Sequence, residues 1–308
     1  MKGRILIVDD LHPVFKESAI EQGYEVDDLP KITRVETLAV ISNYRGIAVR
    51  TKFRIDEELM SAATQLKFVA RAGAGLDNID EGYAKQKGIQ LLNAPEGNRD
   101  AVGEHAVGML LNLANNFRKA DQEIRNGVWD REGNRGWELK GKTIGIIGYG
   151  FMGSSFAQKL SGFGVNVMAY DKYKTGFSDA YAKECSMEEI VKYSDVLSLH
   201  IPLTSETRQM VDEEYLLHFK KPIFFLNTAR GEIVNTKAVL AAIGKGKIMG
   251  AGLDVLETEK FPALSEQLWY GDLIESGKVL LTPHVGGWTY DSYRKISEVL
   301  AEKLSALT

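Results

Sequence analysis

One stretch of the chain, residues 142–171 (KTIGIIGYGFMGSSFAQKLSGFGVNVMAYD), constrains everything around it. Its apolar run at 143–147 reads as a buried parallel strand. Gly148, Gly150 and Gly153 follow in G-x-G-x-x-G spacing. A helical pattern comes next, with Phe156, Leu160 and Phe163 on one face, and a second strand at 165–170 ends on Asp171. Gly148 permits a tight turn out of the strand, Gly150 lets the backbone approach a pyrophosphate, and Gly153 lets the helix pack close to the strand. The helix N-terminus offers unpaired N–H groups and a partial positive charge to phosphates. Asp171 lies 18 residues past Gly153 (171 − 153), where an acid accepts hydrogen bonds from an adenosine ribose. A structural βα turn without a ligand is the competing reading. The strand before, the helix after and the acid closing the next strand favour a dinucleotide.

The 308 residues suffice for two domains with good cores. A formal net charge of −4 argues against nucleic acid as the main partner. The single cysteine, Cys185, excludes an intramolecular disulfide and a cysteine-rich metal site. His12, His105, His200 and His218 form no metal-ligand grouping with cysteine or acids, so no metal is expected. These four read as structural or peripheral, with a place near the cofactor open to His200. The N-terminus, MKGRILIVDD, is strand-like rather than a signal peptide, and no apolar run reaches membrane-spanning length. A cytoplasmic protein without a membrane partner is expected, and no tail after residue 308 is long enough for a further regulatory domain.

Strand patterns at 4–8, 46–50, 67–71 and 89–93 alternate with helical patterns at 13–22, 34–42 and 56–64, the signature of α/β architecture with a mainly parallel sheet. Asn93-Ala-Pro-Glu-Gly-Asn98 is turn-rich and reads as a break and the first domain boundary. A long helix over about 100–126 and a polar loop at 127–137 carrying Trp129 and Trp137 follow. Exposed tryptophans on such an arm signal an interface; the alternative is that both plug the local core. The expected fold is α/β with two Rossmann-like or flavodoxin-like parallel-sheet domains and a cleft between them. Residues 1–97 plus 285–308 would form a discontinuous substrate-binding domain, because the last helix, 291–304, is expected to return to the first domain. Residues 98–284 would form the dinucleotide domain, including a dimerisation arm at about 100–140.

Ligands of open parallel sheets bind beyond the carboxyl ends of the strands. Arg230 follows one predicted strand there, Glu259 follows another by a few residues, and His284 follows the last. This set suits oxidation of an alcohol. Arginine grips a carboxylate through a two-pronged charge-assisted contact. Histidine takes the hydroxyl proton as hydride leaves carbon. A carboxylate beside a histidine favours its charged form and fixes its orientation.

These residues resemble the D-isomer-specific 2-hydroxyacid dehydrogenase family over nearly the whole chain. ARAGAGLDNID (70–80) is similar to its substrate-carboxylate loop, and NAPEGNRDAVGEHAVGMLL (93–111) to its inter-domain helix. GYGFMG, NTARGEIVN (227–235), GAGLDVLETE (250–259) and LTPHVGGW (281–288) match its remaining signatures in order. The resemblance implies NAD as cofactor and Arg230, Glu259 and His284 as the catalytic set, with family spacing favouring Glu259 over nearby Glu257. It implies that the Ala74 and Gly75 amides hold the substrate carboxylate, with Asn98 at the hinge and Arg230 also on the substrate. Besides Gly148, Gly150, Gly153 and Asp171, it puts Ala74, Phe151, Met152, Ile201, Thr228, Ala229, Arg230, Asp254, His284, Gly286 and Gly287 against the cofactor, Asp254 facing the nicotinamide carboxamide. Asp171 should disfavour NADP, with Lys172 softening that preference. A homodimer through the arm is implied as well.

Two residues depart from the family pattern: Phe151 stands where many relatives carry a basic residue, and Trp288 fills a position often small. The cations Arg50, Lys52, Arg54 and Arg71 stand at predicted strand ends. They exceed what one carboxylate needs and suggest a phosphate, unless they only solvate a rim; Arg131 on the arm could reach a neighbouring subunit's site. VRTK, RAGAGLDNID and WELKGKTIGI most resemble short phosphoglycerate dehydrogenases, so oxidation of D-3-phosphoglycerate to 3-phosphohydroxypyruvate, the first step toward serine, is the expectation. The alternatives are a reductase of glyoxylate, hydroxypyruvate, or pyruvate in the manner of a D-lactate dehydrogenase; a formate-type dehydrogenase; and a non-catalytic dinucleotide-sensing protein.

Overall fold

The first apolar run, Arg4–Ile7, becomes β1 of a five-stranded sheet in the computed structural model, which describes residues 2–307. In chain order come α1 (Pro13–Glu21), β2 (Glu25–Asp28), α2 (Arg34–Val40), β3 (Gly46–Val49), α3 (Glu57–Ala62), β4 (Phe68–Arg71), α4 (Glu81–Lys87) and β5 (Gln90–Asn93). The strand order is β2-β1-β3-β4-β5, all pairs parallel. This is the flavodoxin-like order, whose switch point lies between β1 and β3. Apolar clusters cover both faces, one built on Ile5, Phe15, Phe68 and Leu300, the other on Leu6, Ile47, Leu59 and Val69.

Next follow α5 (Pro95–Ala114), α6 (Phe117–Arg125), β6 (Thr143–Ile147), α7 (Phe151–Lys159), β7 (Asn166–Tyr170), β8 (Lys183–Glu184), α8 (Met187–Tyr193) and β9 (Val196–Leu199). Then come α9 (Glu213–Leu217), β10 (Ile223–Asn227), α10 (Thr236–Gly244), β11 (Ile248–Leu253), α11 (Tyr270–Glu275), β12 (Val279–Leu281) and α12 (Tyr290–Ser305). The second sheet has the order β12-β11-β10-β9-β6-β7-β8, again all parallel. Its order reverses between β6 and β9, so its switch point lies just where the glycine loop leaves β6.

The described residues form two compact units, 2–99 with 288–307, and Asp100–Gly287. Within the first unit α12 packs on α1, and Lys303 Nζ reaches Glu96 at 2.8 Å and the Asn93 carbonyl at 2.8 Å. Gly97 permits the close approach: a Cβ there would lie 2.6 Å from the Ile296 backbone.

Local reading of the sequence fails at three places. The turn-rich stretch 93–98 is not a loop, because α5 starts at Pro95 and runs on through the division between the two units at 99/100; proline suits a first helical turn, where its missing N–H has no partner to lose. The single helix expected over 100–126 is two helices. Asn116 adopts φ 54°, left-handed backbone that asparagine tolerates, and the Trp137 N–H bonds the Ala114 carbonyl and closes α5. The two tryptophans of the arm part company, since Trp137 packs edge-on against Phe224 while Trp129 is 79% exposed. No helix among the described residues is long and apolar enough to cross a membrane.

Candidate active site

The glycine loop is shaped by steric necessity at two of its three glycines. Gly148 has φ 92°, and a Cβ there would sit 2.4 Å from the His200 carbonyl oxygen. At Gly153 a Cβ would sit 2.0 Å from the Gly148 carbonyl oxygen, so α7 can rest on the loop only without a side chain. Gly150, by contrast, has nothing within 4 Å of its Cβ position. It is the N-cap of α7, with no side chain to satisfy the first amides. Those amides, on Phe151 and Met152 among others, are a ready anion site on open space. Phe151 is exposed and supplies no charge, so a pyrophosphate bound here would rest on amides and helix dipole alone.

Beneath the loop, His200 is mostly buried, tilted against Phe156 with ring centroids 5.4 Å apart, and its Nε2 lies 2.8 Å from Ser198 Oγ. Burial pushes its pKa down to about 3, which keeps it neutral. It is part of the floor of the turn.

Asp171 closes β7, its two oxygens accepting the Tyr149 N–H and the Tyr173 N–H at 2.9 Å each. The carboxylate is thereby held in place at the sheet edge. Lys172 was expected to soften the charge here, but its ammonium is paired with Glu206. The pair is exposed, yet it adds no net positive charge beside Asp171.

Arg230 follows β10 in a turn wired by buried Asn227. The Asn227 Oδ1 accepts the Ala229 N–H at 3.0 Å, and its Nδ2 donates to the Arg230 carbonyl at 2.9 Å. Gly231 is obligatory, since a Cβ would lie 1.9 Å from the Leu256 backbone. Beside it the buried Thr228 Oγ1 has no hydrogen-bond partner. A buried hydroxyl without a partner is uncommon and marks this turn as a place where a polar ligand would satisfy it.

The two acids after β11 separate cleanly. Glu257 is consumed by structure: it accepts the Thr236 N–H at 2.8 Å, at the start of α10, and the Gln209 Nε2 at 2.9 Å. Glu259 Oε2 instead lies 2.9 Å from His284 Nδ1. His284 sits on left-handed backbone, φ 55°, and is nearly half exposed. With Nδ1 on the carboxylate, its Nε2 faces away and is available for proton exchange.

Asp254 is 3% exposed. Burial raises its pKa, but hydrogen bonds from His105, Thr282, Gly286 and Val285 outweigh burial and lower it. Its Oδ1 accepts from Thr282 Oγ1 at 2.6 Å and the Val285 N–H at 2.9 Å, and Oδ2 accepts the Gly286 N–H at 2.9 Å. Three donors thus tie the carboxylate to the loop bearing His284; a carboxamide, the partner expected from the sequence, would share Oδ2. Reading the sequence missed His105 here, whose Nε2 lies 3.0 Å from Thr282 Oγ1. Only three-dimensional proximity reveals it, 177 residues from its partner.

In the first unit, Arg50 follows β3 and Arg71 ends β4, with Val49 in register with Arg71. The Arg71 guanidinium lies over Gly73, where a Cβ would be 1.7 Å from Nη1. The Arg50 guanidinium lies 3.4 Å from the Trp288 ring centroid. At this sheet's switch point the amides of Arg50, Thr51 and Lys52 all bond Asp9 Oδ2, at 3.0, 2.7 and 2.9 Å. That amide nest is therefore filled from within. Lys52 Nζ is spent on the Pro30 carbonyl at 2.6 Å, and Arg54 is exposed. Asn93 Nδ2 holds the Ala74 carbonyl at 2.6 Å, and Gly75 follows it, partly exposed. The Asn98 Oδ1 is buried without a partner.

Residues 107–286 match the model of the D-isomer specific 2-hydroxyacid dehydrogenase, NAD binding domain. The chain is 35% identical to a hydroxypyruvate reductase of Thermotoga maritima, over 87% of this chain and 86% of that protein. It is 34% identical to a D-3-phosphoglycerate dehydrogenase of Methanocaldococcus jannaschii over 98% of this chain, but spans only 56% of that longer protein. Among solved structures, a D-lactate dehydrogenase from Aquifex aeolicus complexed with NAD and lactic acid superposes with a TM-score of 0.82 at 29% identity, covering 98% of this chain and 94% of that one.

Proposed function

Because this chain belongs to the D-isomer-specific 2-hydroxyacid dehydrogenases, NAD-dependent oxidoreductases acting on CH–OH groups, we propose that it interconverts D-3-phosphoglycerate and 3-phosphohydroxypyruvate, with Arg230, Glu259 and His284 as its catalytic set. The observation that carries the substrate is the adjacent placement of Arg50 and Arg71 at the ends of β3 and β4. Arg50 is half-buried, which lowers its pKa, and among the described residues no carboxylate hydrogen-bonds its guanidinium. Stacking on Trp288 uses the face of the guanidinium, and its in-plane N–H groups are the donors a phosphate would engage.

Bound NAD supplies the hydride acceptor. The open amides at the start of α7, the carboxylate of Asp171 and the hydroxyl of Thr228 are the groups that would hold it. In the oxidative direction His284 takes the hydroxyl proton at Nε2 while hydride leaves the same carbon, and in reduction it returns that proton to the carbonyl oxygen. Glu259, on Nδ1, fixes the ring and stabilises its charged form during transfer. Arg230 takes the carboxylate.

The Arg50–Trp288 stack also favours a second reading, in which Trp288 occupies Arg50 and the substrate is an unphosphorylated 2-oxo acid such as hydroxypyruvate or glyoxylate. Catalytic efficiency on 3-phosphohydroxypyruvate against hydroxypyruvate separates the two. The proposal expects a preference for the phosphorylated acid that Arg50→Ala reduces roughly 10- to 100-fold, the value of a charge-assisted hydrogen bond. Equal efficiencies, or a preference indifferent to Arg50, give the unphosphorylated reading.

A further inference from the structure

We propose that His105 and Thr282 are positioning residues for His284, acting through Asp254. The proposal rests on the dehydrogenase reading of the site and adds two residues that do not touch the reacting atoms. Thr282 Oγ1 donates its single proton to Asp254 Oδ1 at 2.6 Å. It therefore cannot also donate to His105, and the 3.0 Å contact requires His105 Nε2–H as donor. The same Nε2 lies 3.5 Å from Asp254 Oδ1. His105, on α5, Thr282, after β12, and Asp254, after β11, thus form one directed chain of hydrogen bonds. Each link polarises the next.

The far end of the chain is the backbone of residues 284–286. Asp254 accepts the Val285 and Gly286 amides through its carboxylate, and its carbonyl accepts the His284 N–H at 2.7 Å. Three consecutive amides are therefore fixed by one residue. Between them His284 holds φ 55°, a conformation a residue with a Cβ keeps only when its surroundings impose it. That backbone is what aims His284 Nδ1 at Glu259 Oε2, 2.9 Å away. Space is tight as well: a Cβ on Gly286 would stand 2.9 Å from Asp254 Oδ2 and 3.3 Å from His105 Cδ2. Without the Thr282 hydroxyl, Asp254 Oδ1 loses its shortest donor, and His105 loses the oxygen nearest its Nε2.

Thr282→Val removes the hydroxyl at nearly constant shape, Thr282→Ser restores it, and His105→Leu and His105→Gln do the same for the donor. Three quantities are measured on each purified protein: kcat with the preferred 2-oxo acid and NADH, the NADH dissociation constant by fluorescence, and amide hydrogen exchange of segment 282–287 without cofactor. For Thr282→Val and His105→Leu we expect kcat to fall roughly 10²-fold, the scale of a misplacement near 1 Å. NADH affinity should fall far less than kcat, because the α7 amides and Asp171 are untouched, and exchange of Val285 and Gly286 should accelerate. Thr282→Ser and His105→Gln should recover most of the loss. A native kcat with native exchange in Thr282→Val overturns the proposal. So does an equal kcat loss in Ser and Val, which would mark plain packing. A native protein that binds NADH but turns over no 2-oxo acid would instead sink the functional reading, while the exchange result still judges the positioning claim.

Discussion

Glu257 and Glu259 stand two positions apart, and each is a plausible partner for a histidine; their hydrogen bonds decide between them. Glu257 closes the start of α10 and anchors Gln209, whereas Glu259 meets His284 Nδ1. Opposite consequences follow for substitution. Glu259→Gln should leave the melting temperature nearly unchanged, because the residue is exposed, and should reshape the pH–rate profile by removing the charge beside the imidazole. Glu257→Ala should leave the profile in place and cost about 1–3 kcal/mol, the penalty for orphaning partly buried donors. Urea denaturation and pH–rate curves on the two variants check this; exchanged phenotypes would reverse the assignment. Cys185 offers no competing chemistry. Burial pushes its thiol up to about 12, and Sγ rests 3.5 Å from the Ala169 carbonyl, the state of an inert packed thiol.

At the scale of elements, the glycine loop shows which parts of the site a sequence can disclose. G-x-G-x-x-G between a strand and a helix is a local pattern, and β6, α7 and β7 realise it locally. The polar edge strand β2, EVDD, escapes such reading, because its pairing with β1 rather than its own hydrophobicity makes it a strand. Helix α4 escapes too, its Asp80 N-cap and Gly88 C-cap flanking a segment with a single buried residue, Ala84. His105 and Thr282 lie inside family motifs, but their pairing escapes the sequence, since its meaning lies in a contact across 177 positions. The glycines themselves give the sharper test. Gly150→Ala meets nothing within 4 Å and has φ −90°, so folding stability should hold while NADH binding weakens, the methyl standing where pyrophosphate must approach. Gly153→Ala meets the Gly148 carbonyl at 2.0 Å and should destabilise by about 1–3 kcal/mol through overpacking. Thermal melts with NADH titration by fluorescence separate the two. A stable Gly153→Ala protein with native NADH affinity would contradict the packing argument.

At the scale of the whole molecule, the arm after α5 calls for an account of its own. Its loop is pinned from inside. Lys119 Nζ bonds the Gly133 carbonyl at 2.6 Å, Asp130 Oδ1 accepts the Gly133 N–H at 2.9 Å, and Trp137 is fastened between Phe224 and the Lys142 ammonium. A loop so fixed has few ways to hide its apolar side chains. Yet Phe117, Ile124, Val128 and Trp129 all stay exposed, at 56, 50, 46 and 79%. Four large apolar groups within thirteen positions (129 − 117 + 1) form the kind of patch that marks an interface. A two-fold axis lets one such patch serve both partners, so we expect a homodimer whose arms cover each other. An interface of the usual size, about 1,600 Å² in total, would take in this patch with a polar rim. Arg131, beside Trp129 and exposed, then has a neighbouring chain within reach. Light scattering at micromolar concentration should give twice the 34.2 kDa chain mass. Trp129→Glu combined with Phe117→Glu should give that mass once, because two charges buried without partners oppose association. A native monomer at that concentration, or a double variant still dimeric, would mean that the arm is not the interface.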